Sequence, residues 1–337
     1  MKWFPGLNML TGSNGAGKTN ILEGINIISG WGPLERGAKI ASMPSWGSGS
    51  SEVQLTGEID SGEIIRAKIS RGCTLKVDGK SIKSADLRWK IPVLAFIPSD
   101  MSIIEGPAAF RRRLLDMLLA LIIPSYAKRL SEYRRGVRQK ALFLKRGMPV
   151  MLADRALMPL ASWIWKMRTQ AADLISSCLE GVTELSPAKL VITLKRGGAG
   201  LCEDFEDDYA KSVIANRGRE AAMKFPMVGP HRDDLLIRVG ERPASSALSR
   251  GLRRRAAMAL MLASSDGVKR KLGRAPVLLM DEVAAELDPN GSEILFKALE
   301  SRNTQVFAAT ADPPPSGFHG YVHIVSEGRI TESFAKE

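Results

Sequence analysis

The sequence predicts an α/β protein, a mixed sheet flanked by helices, whose head is split by an inserted α-helical lobe. Three observations lead there. A complete glycine-rich phosphate motif follows a short apolar run near the start. A strongly apolar run ending in two carboxylates stands about 260 residues later, and helical periodicity fills the middle.

The elements follow in order. GLNML is a short apolar run ending at Thr11-Gly12 and reads as a buried strand. After Lys18, TNILEGINII places Ile21, Ile25 and Ile28 on one helical face. Residues 31–50, rich in Gly, Ser and Pro, read as an irregular loop. VQLTGEI, IIRAKIS and TLKVDG alternate between SGE and RGC turns, which predicts antiparallel strands, and VLAFIP reads as a further buried strand. From Phe110 to Leu144 apolar residues recur at helical intervals, broken at Pro124, and a second such stretch runs from Leu157 to Cys178. The turn KRGMPV joins them, so a long antiparallel helix hairpin with a basic polar face is expected. KLVITLK and DDLLIRV then read as strands, followed by a helix, the strand VLLMDE, a helix from Ser292 to Leu299, the strand QVFAAT and a terminal strand YVHIVSEGRI. The expected division is a first part of the head over 1–107, the helical lobe over 108–222 and the second part of the head over 223–337.

Composition narrows the class. With 45% hydrophobic and 25% charged residues the chain reads as an ordinary globular protein. Its three cysteines form no CxxC pair, which argues against a disulfide framework or a zinc site and for a reducing, cytoplasmic interior. The most apolar run, LLDMLLALII, is too short to span a membrane and contains Asp116. The net charge of +12 is bunched: residues 101–150 hold eleven Lys/Arg against three Asp/Glu, and residues 241–275 hold nine against two. Bunched basic surface favours a polyanion partner through phosphate contacts.

The chemistry begins at Gly12-Ser13-Asn14-Gly15-Ala16-Gly17-Lys18-Thr19, a full G-x-x-x-x-G-K-[ST] match between a strand and a helix. Its glycines let backbone N–H groups curl around phosphate; Lys18 would neutralise the β/γ-phosphates of ATP and Thr19 would ligate Mg²⁺. VLLMDE supplies the acidic partner, Asp281 for Mg²⁺ and Glu282 to orient or deprotonate the attacking water. Without the phosphate motif the same pair would read as the opening of the next helix. Ser249 and Gly251 stand about thirty residues before Asp281. A large insertion between the two halves, with Ser-x-Gly just upstream of the carboxylate strand, points to an ABC-type P-loop ATPase head. In that class the Ser-x-Gly turn contacts the γ-phosphate held by a second subunit, and Glu286-Leu287-Asp288 falls at the dimer-facing D-loop. Arg111, Arg112 and Arg113 open the lobe and Arg134, Arg135, Arg138 and Lys140 extend along it. These are candidates for nonspecific contact with double-stranded DNA, with a solvated or salt-bridged face as the alternative for the first three. His231 reads as structural or as a lobe contact with DNA rather than catalytic.

At these residues the sequence resembles the RecF family, SMC-like DNA repair ATPases of bacteria. GLNMLTGSNGAGKTNILE is similar to the family's P-loop segment, and IPSDMSIIEGPAAFRRRLLDMLLALIIPSYAKRLSEYRR resembles its linker and first long helix. MVGPHRDDL looks like its Gly-Pro-His-Arg-Asp-Asp-Leu signature, and LLMDEVAAELD like its carboxylate strand and D-loop. The resemblance implies an ATP-dependent homodimer that binds duplex DNA at gaps, hydrolyses ATP slowly and works with RecR and RecO. Four departures accompany it. Only eleven residues precede Gly12, which reads as a truncated start. Residues 31–50 lack the family's usual loop, Leu252 follows the signature glycine in place of Gln or Glu, and Thr310 and Asp312 stand where many ABC ATPases carry a switch histidine. The start and Leu252 motivate the alternative, a nucleotide-binding module with impaired hydrolysis.

Overall fold

Apolar runs too uniform to alternate become strands covered on both faces. The computed structural model describes residues 2–35, 38–40, 43, 52–186, 188–200, 202–282, 287–314 and 318–336. The head opens with β1 (Leu7–Thr11) and α1 (Lys18–Ile28). An antiparallel sheet follows, β2 (Val53–Glu58), β3 (Ile64–Ile69), β4 (Cys73–Val77) and β5 (Lys80–Ser81), then α2 (Ser84–Lys90) and β6 (Val93–Phe96). The lobe consists of α3 (Ala108–Ile122), α4 (Tyr126–Lys145), α5 (Met151–Cys178), β7 (Leu190–Lys195), α6 (Phe205–Met223), β8 (Asp234–Val239) and β9 (Arg242–Pro243). The chain returns through α7 (Ala244–Ala247), α8 (Arg250–Leu272), β10 (Val277–Asp281), α9 (Pro289–Glu300), β11 (Val306–Thr310), β12 (Gly320–Ser326) and β13 (Arg329–Lys336).

The main sheet has the order β13-β12-β1-β11-β10-β6, parallel except where β13 pairs antiparallel with β12. Alternate residues of its central strands enter two cores. Leu94, Leu278, Met280, Val306 and Ala308 face α8 and the lobe, whereas Val93, Ala95, Leu279, Phe307 and Ala309 lie on the α1 side. Each of the larger side chains among them contributes roughly 1.5–3 kcal/mol by leaving water. Helix α8 is buried nearly all round from Ala256 to Ser265, and its alanines let it lie between the sheet and helices α3 and α5.

Several expectations change. Helix α1 is sandwiched between two cores, so Leu22 and Ile27 are its deepest residues and Ile21, Ile25 and Ile28 are only partly covered. The acidic run 203–209 opens a helix absent from the sequence reading: Asp204 caps α6 by accepting from the amides of Glu206 (3.0 Å) and Asp207 (2.8 Å). Carboxylates in the first turn suit the positive end of the helix dipole. The terminal strand is a hairpin, because Glu327 and Gly328 both adopt positive φ (49° and 74°) and reverse the chain. Strands β7 and β8 pair across residue 222, so the lobe's own small sheet joins the segments on either side of that boundary. Residues 36–37, 41–42 and 44–50 of the expected 31–50 loop lie outside the described residues.

Candidate nucleotide site and the basic lobe

The phosphate loop leaves the carboxyl end of β1, and β10 delivers its carboxylates two strands away at the same sheet edge, where open α/β sheets place their ligands. The loop's shape depends on glycine at Gly17. Its φ is 101°, and a Cβ there would come 2.9 Å from the Gly328 Cα. The Gly328 amide in turn donates to the Ala16 carbonyl (2.8 Å), so the β12–β13 turn clamps the loop from outside. Gly17 stands at the N-cap of α1 with no side chain there, leaving the helix's first amides to an anion.

Lys18 is 5% exposed, and its ammonium donates to the carbonyls of Gly12 (2.8 Å) and Ser13 (3.0 Å). The Thr19 hydroxyl lies 3.1 and 3.2 Å from the two carboxylate oxygens of Asp281. These are hard oxygen donors of the kind Mg²⁺ takes. Asp281 is pushed above the usual carboxylate range, first by burial and then by neighbouring Glu282, against the Thr19 hydrogen bond and Lys18. A divalent cation held by Thr19 and Asp281 would reverse that balance, so the residues fit the metal. Nearby Glu23 is also raised, chiefly by burial, although the Leu34 amide donates to it (3.1 Å).

Glu282 is held by its amide, which donates to the Ala309 carbonyl (2.9 Å), at φ 49°. That left-handed conformation costs a non-glycine residue about 1 kcal/mol or more. Ser13, Asn14 and Gly15 are exposed or nearly so, open to a ligand. Ser249, Arg250 and Gly251 are exposed too, and Ser249 caps α8 by accepting from the Leu252 amide (3.4 Å). Leu252 has a structural reason: its side chain packs against the main core. Arg253 pairs with Glu105, and Arg255 donates to the carbonyls of Glu184 (2.9 Å) and Leu185 (3.2 Å). Glu286 lies outside the described residues, while Leu287 packs on the core and Asp288 caps α9 through the Gly291 amide (2.6 Å). Thr310 is buried and accepts from the Asp312 amide (3.1 Å).

Residues 1–315 match the model of the RecF/RecN/SMC N-terminal domain family. The DNA replication and repair protein RecF of Heliobacterium modesticaldum is 30% identical over 365 residues, covering 98% of this chain and 94% of that protein. The chain belongs to the RecF family. RecF of Deinococcus radiodurans is 31% identical over 321 residues, covering 92% of this chain and 86% of its own. The solved structure of the recombination mediator protein RecF-ATPrS in the RecFOR pathway superimposes with a TM-score of 0.85 at 25% identity, over 98% of this chain and 92% of that one. An Smc head bound to the winged-helix domain of ScpA shares the fold at a TM-score of 0.54 and 16% identity, over 99% of this chain and 91% of that one. The head is thus an SMC-like, ABC-type P-loop ATPase head.

In this RecF-family chain, the GPHRDDL segment is the buried hub of the lobe. Asp233 is fully buried and accepts from the Trp165 indole, the Gly197 amide and Arg168, each at 2.7 Å. Arg168, 2% exposed, also reaches Asp116 (2.9 Å), which accepts from the Tyr126 hydroxyl (2.6 Å). Gly229 is required, since a Cβ there would sit 2.2 Å from the Tyr133 hydroxyl. That hydroxyl donates to His231 Nδ1 (2.7 Å), and His231 Nε2–H donates to the Pro226 carbonyl (3.1 Å), so His231 is structural. Burial, ahead of the repulsion from Arg232, Lys140 and Arg112, lowers its pKa from 6.5 to about 4. The unfolded imidazole takes a proton first, so this contribution is complete above pH 6.5 and is lost as pH falls from 6.5 through 4. Thermal unfolding of His231→Gln is expected to lose that part of the pH dependence, and an unchanged profile would refute the assignment.

The basic candidates divide. Lys140 is 1% exposed and paired with Asp154 (2.7 Å) and Glu220 (2.6 Å), tying α4 to α5 and α6, so it cannot belong to a DNA-facing ridge. Arg111 is engaged by Asp234 (2.6 Å) and Arg113 by Asp100 (2.7 Å), while Arg112 donates to the Asp233 carbonyl (2.7 Å). These contacts hold α3 to the linker and to the start of β8, and Arg111 and Arg113 show the salt-bridged alternative. Arg134 pairs with Asp116 (3.0 Å) yet stays 57% exposed. Arg135 and Arg138 are exposed on α4.

Proposed function

We propose that this chain is an ATP-dependent DNA-binding protein of recombinational repair and replication, a slow ATPase working in the cytoplasm. ATP and Mg²⁺ bind between the P-loop and Asp281. ATP then joins two copies, each P-loop facing the other copy's Ser249 turn, and the closed homodimer grips double-stranded DNA at gaps without reading sequence. Hydrolysis through Glu282 releases it, and RecR and RecO are the expected partners. The observation that carries this reading is the approach of Thr19 to Asp281 at 3.1 Å, residues 262 apart in sequence and both needed for one Mg–nucleotide site. Support comes from the exposed Ser249–Gly251 turn, from Arg134, Arg135 and Arg138 on one exposed helix, and from relatives named as DNA replication and repair proteins.

The test is Glu282→Gln with ATP, Mg²⁺ and a gapped duplex. Loss of a general base slows hydrolysis by roughly 100-fold or more. The expected result is a nucleotide-bound dimer that accumulates in light scattering and stays on duplex DNA while ATP lasts. Hydrolysis at the native rate, or DNA binding indifferent to ATP, would sink the proposal.

A further inference from the structure

A cavity of about 550 Å³ opens between α3, α4 and Trp31, a short way past the end of α1. Trp31, Met117, Ala127 and Leu130 form an apolar wall, and Arg112 and Arg134 stand across it on different helices. Its volume is that of a small-molecule pocket rather than of an ion site.

The charges around it do not close. Arg112, Arg113, Arg134 and Arg168 are among the residues that line the cavity, with Asp116. Asp100 meets Arg113, Asp116 is shared between Arg134 and Arg168, and Asp233 takes Arg168 again. Asp116 also serves the Tyr126 hydroxyl, which leaves its hold on Arg134 divided. Arg112 has a backbone carbonyl, that of Asp233, and no carboxylate partner among the described residues. It is half-buried, and desolvation followed by repulsion from Arg168 works against its charge, with a weaker opposing attraction from Asp233, Asp234 and Asp116. His231, in the same lining, is held neutral and supplies no counter-charge problem of its own. Trp31 adds an indole N–H that is shielded from solvent without a hydrogen-bond partner among the described residues. A half-buried cation with no carboxylate of its own, beside an apolar wall, suits an anion that carries a flat apolar body.

We propose that this cleft is a second nucleoside-phosphate site, separate from the P-loop, in which Arg112 and Arg134 hold the phosphate and the Trp31, Met117 and Leu130 wall takes the base. Two forks approaching from two helices suit a phosphate, whose three terminal oxygens accept from both at once; a carboxylate is filled by a single fork.

The test is a calorimetric titration of the full chain with AMP, inorganic phosphate and adenosine, crossed with three variants. AMP is expected to bind one per chain and more tightly than phosphate or adenosine. Its affinity should fall about tenfold or more in Arg112→Gln and in the exposed-site variant Arg134→Gln, since a hydrogen bond to a charged group is lost, and hold in Lys18→Ala. The opposite pattern, with AMP lost in Lys18→Ala and kept in both arginine variants, assigns AMP to the P-loop and overturns the proposal. Equal binding of phosphate and AMP removes the base-holding wall and overturns it as well. So does an Arg112-dependent response to a glutamate-rich peptide in a chain that ignores AMP, which would give the cleft to a protein partner.

Discussion

Lys18→Ala is expected to weaken ATP binding by about 30-fold or more while leaving the circular dichroism of the protein unchanged. The ammonium is almost wholly enclosed and already oriented by two loop carbonyls, so it meets the phosphates without reorganising. Truncating one partner of a desolvated charge pair costs about 2–5 kcal/mol, and each 1.4 kcal/mol is tenfold in affinity. Titration with a fluorescent ATP analogue measures the effect. Native affinity in the variant would mean that the loop does not hold nucleotide.

Arg168→Met should lower the unfolding free energy by about 3–5 kcal/mol, the scale on which a broken buried ion pair destabilises. The substitution keeps the bulk but strands Asp233 in the interior and leaves Asp116 with Arg134 alone. Asp233 is raised above its ordinary range by burial, with Arg168 the largest opposing influence. The triple variant Arg168→Met, Asp116→Asn, Asp233→Asn should recover much of the loss, since no uncompensated charge remains. Urea unfolding of both reads the difference. If the single substitution proves neutral, the hub does not hold α3, α5 and the GPHRDDL segment together.

The phosphate loop and the carboxylate strand were legible because each depends on residue types at fixed spacing, glycines for backbone shape and a hydroxyl and carboxylate for oxygen chemistry. The central strands were legible as uninterrupted apolar runs, which a sheet covered on both faces demands. What escaped depends on partners rather than pattern. Lys140 looks like surface charge in sequence, and Arg111 and Arg113 read equally as DNA contacts or as a salt-bridged face; only the fold brings Asp154, Glu220, Asp234 and Asp100 against them. Helix α6 was hidden by a weakly amphipathic sequence, although Asp204 followed by three acidic residues of the first turn is a start signal. Leu252 resisted explanation as part of a sensor turn because its side chain answers to the core behind that turn.

The clamp of Gly328 on the phosphate loop bears on the order in which a ribosome can build this molecule. The loop is made long before its supports, because β1 sits between β11 and β12 and the loop's outer support is the β12–β13 turn. The helices of the lobe, rich in local contacts, are free to form during synthesis, whereas closing the loop waits for the most distant pairing in the fold. A nascent or prematurely ended chain therefore carries the motif without the pocket. Competence for nucleotide waits on the synthesis of that distant hairpin.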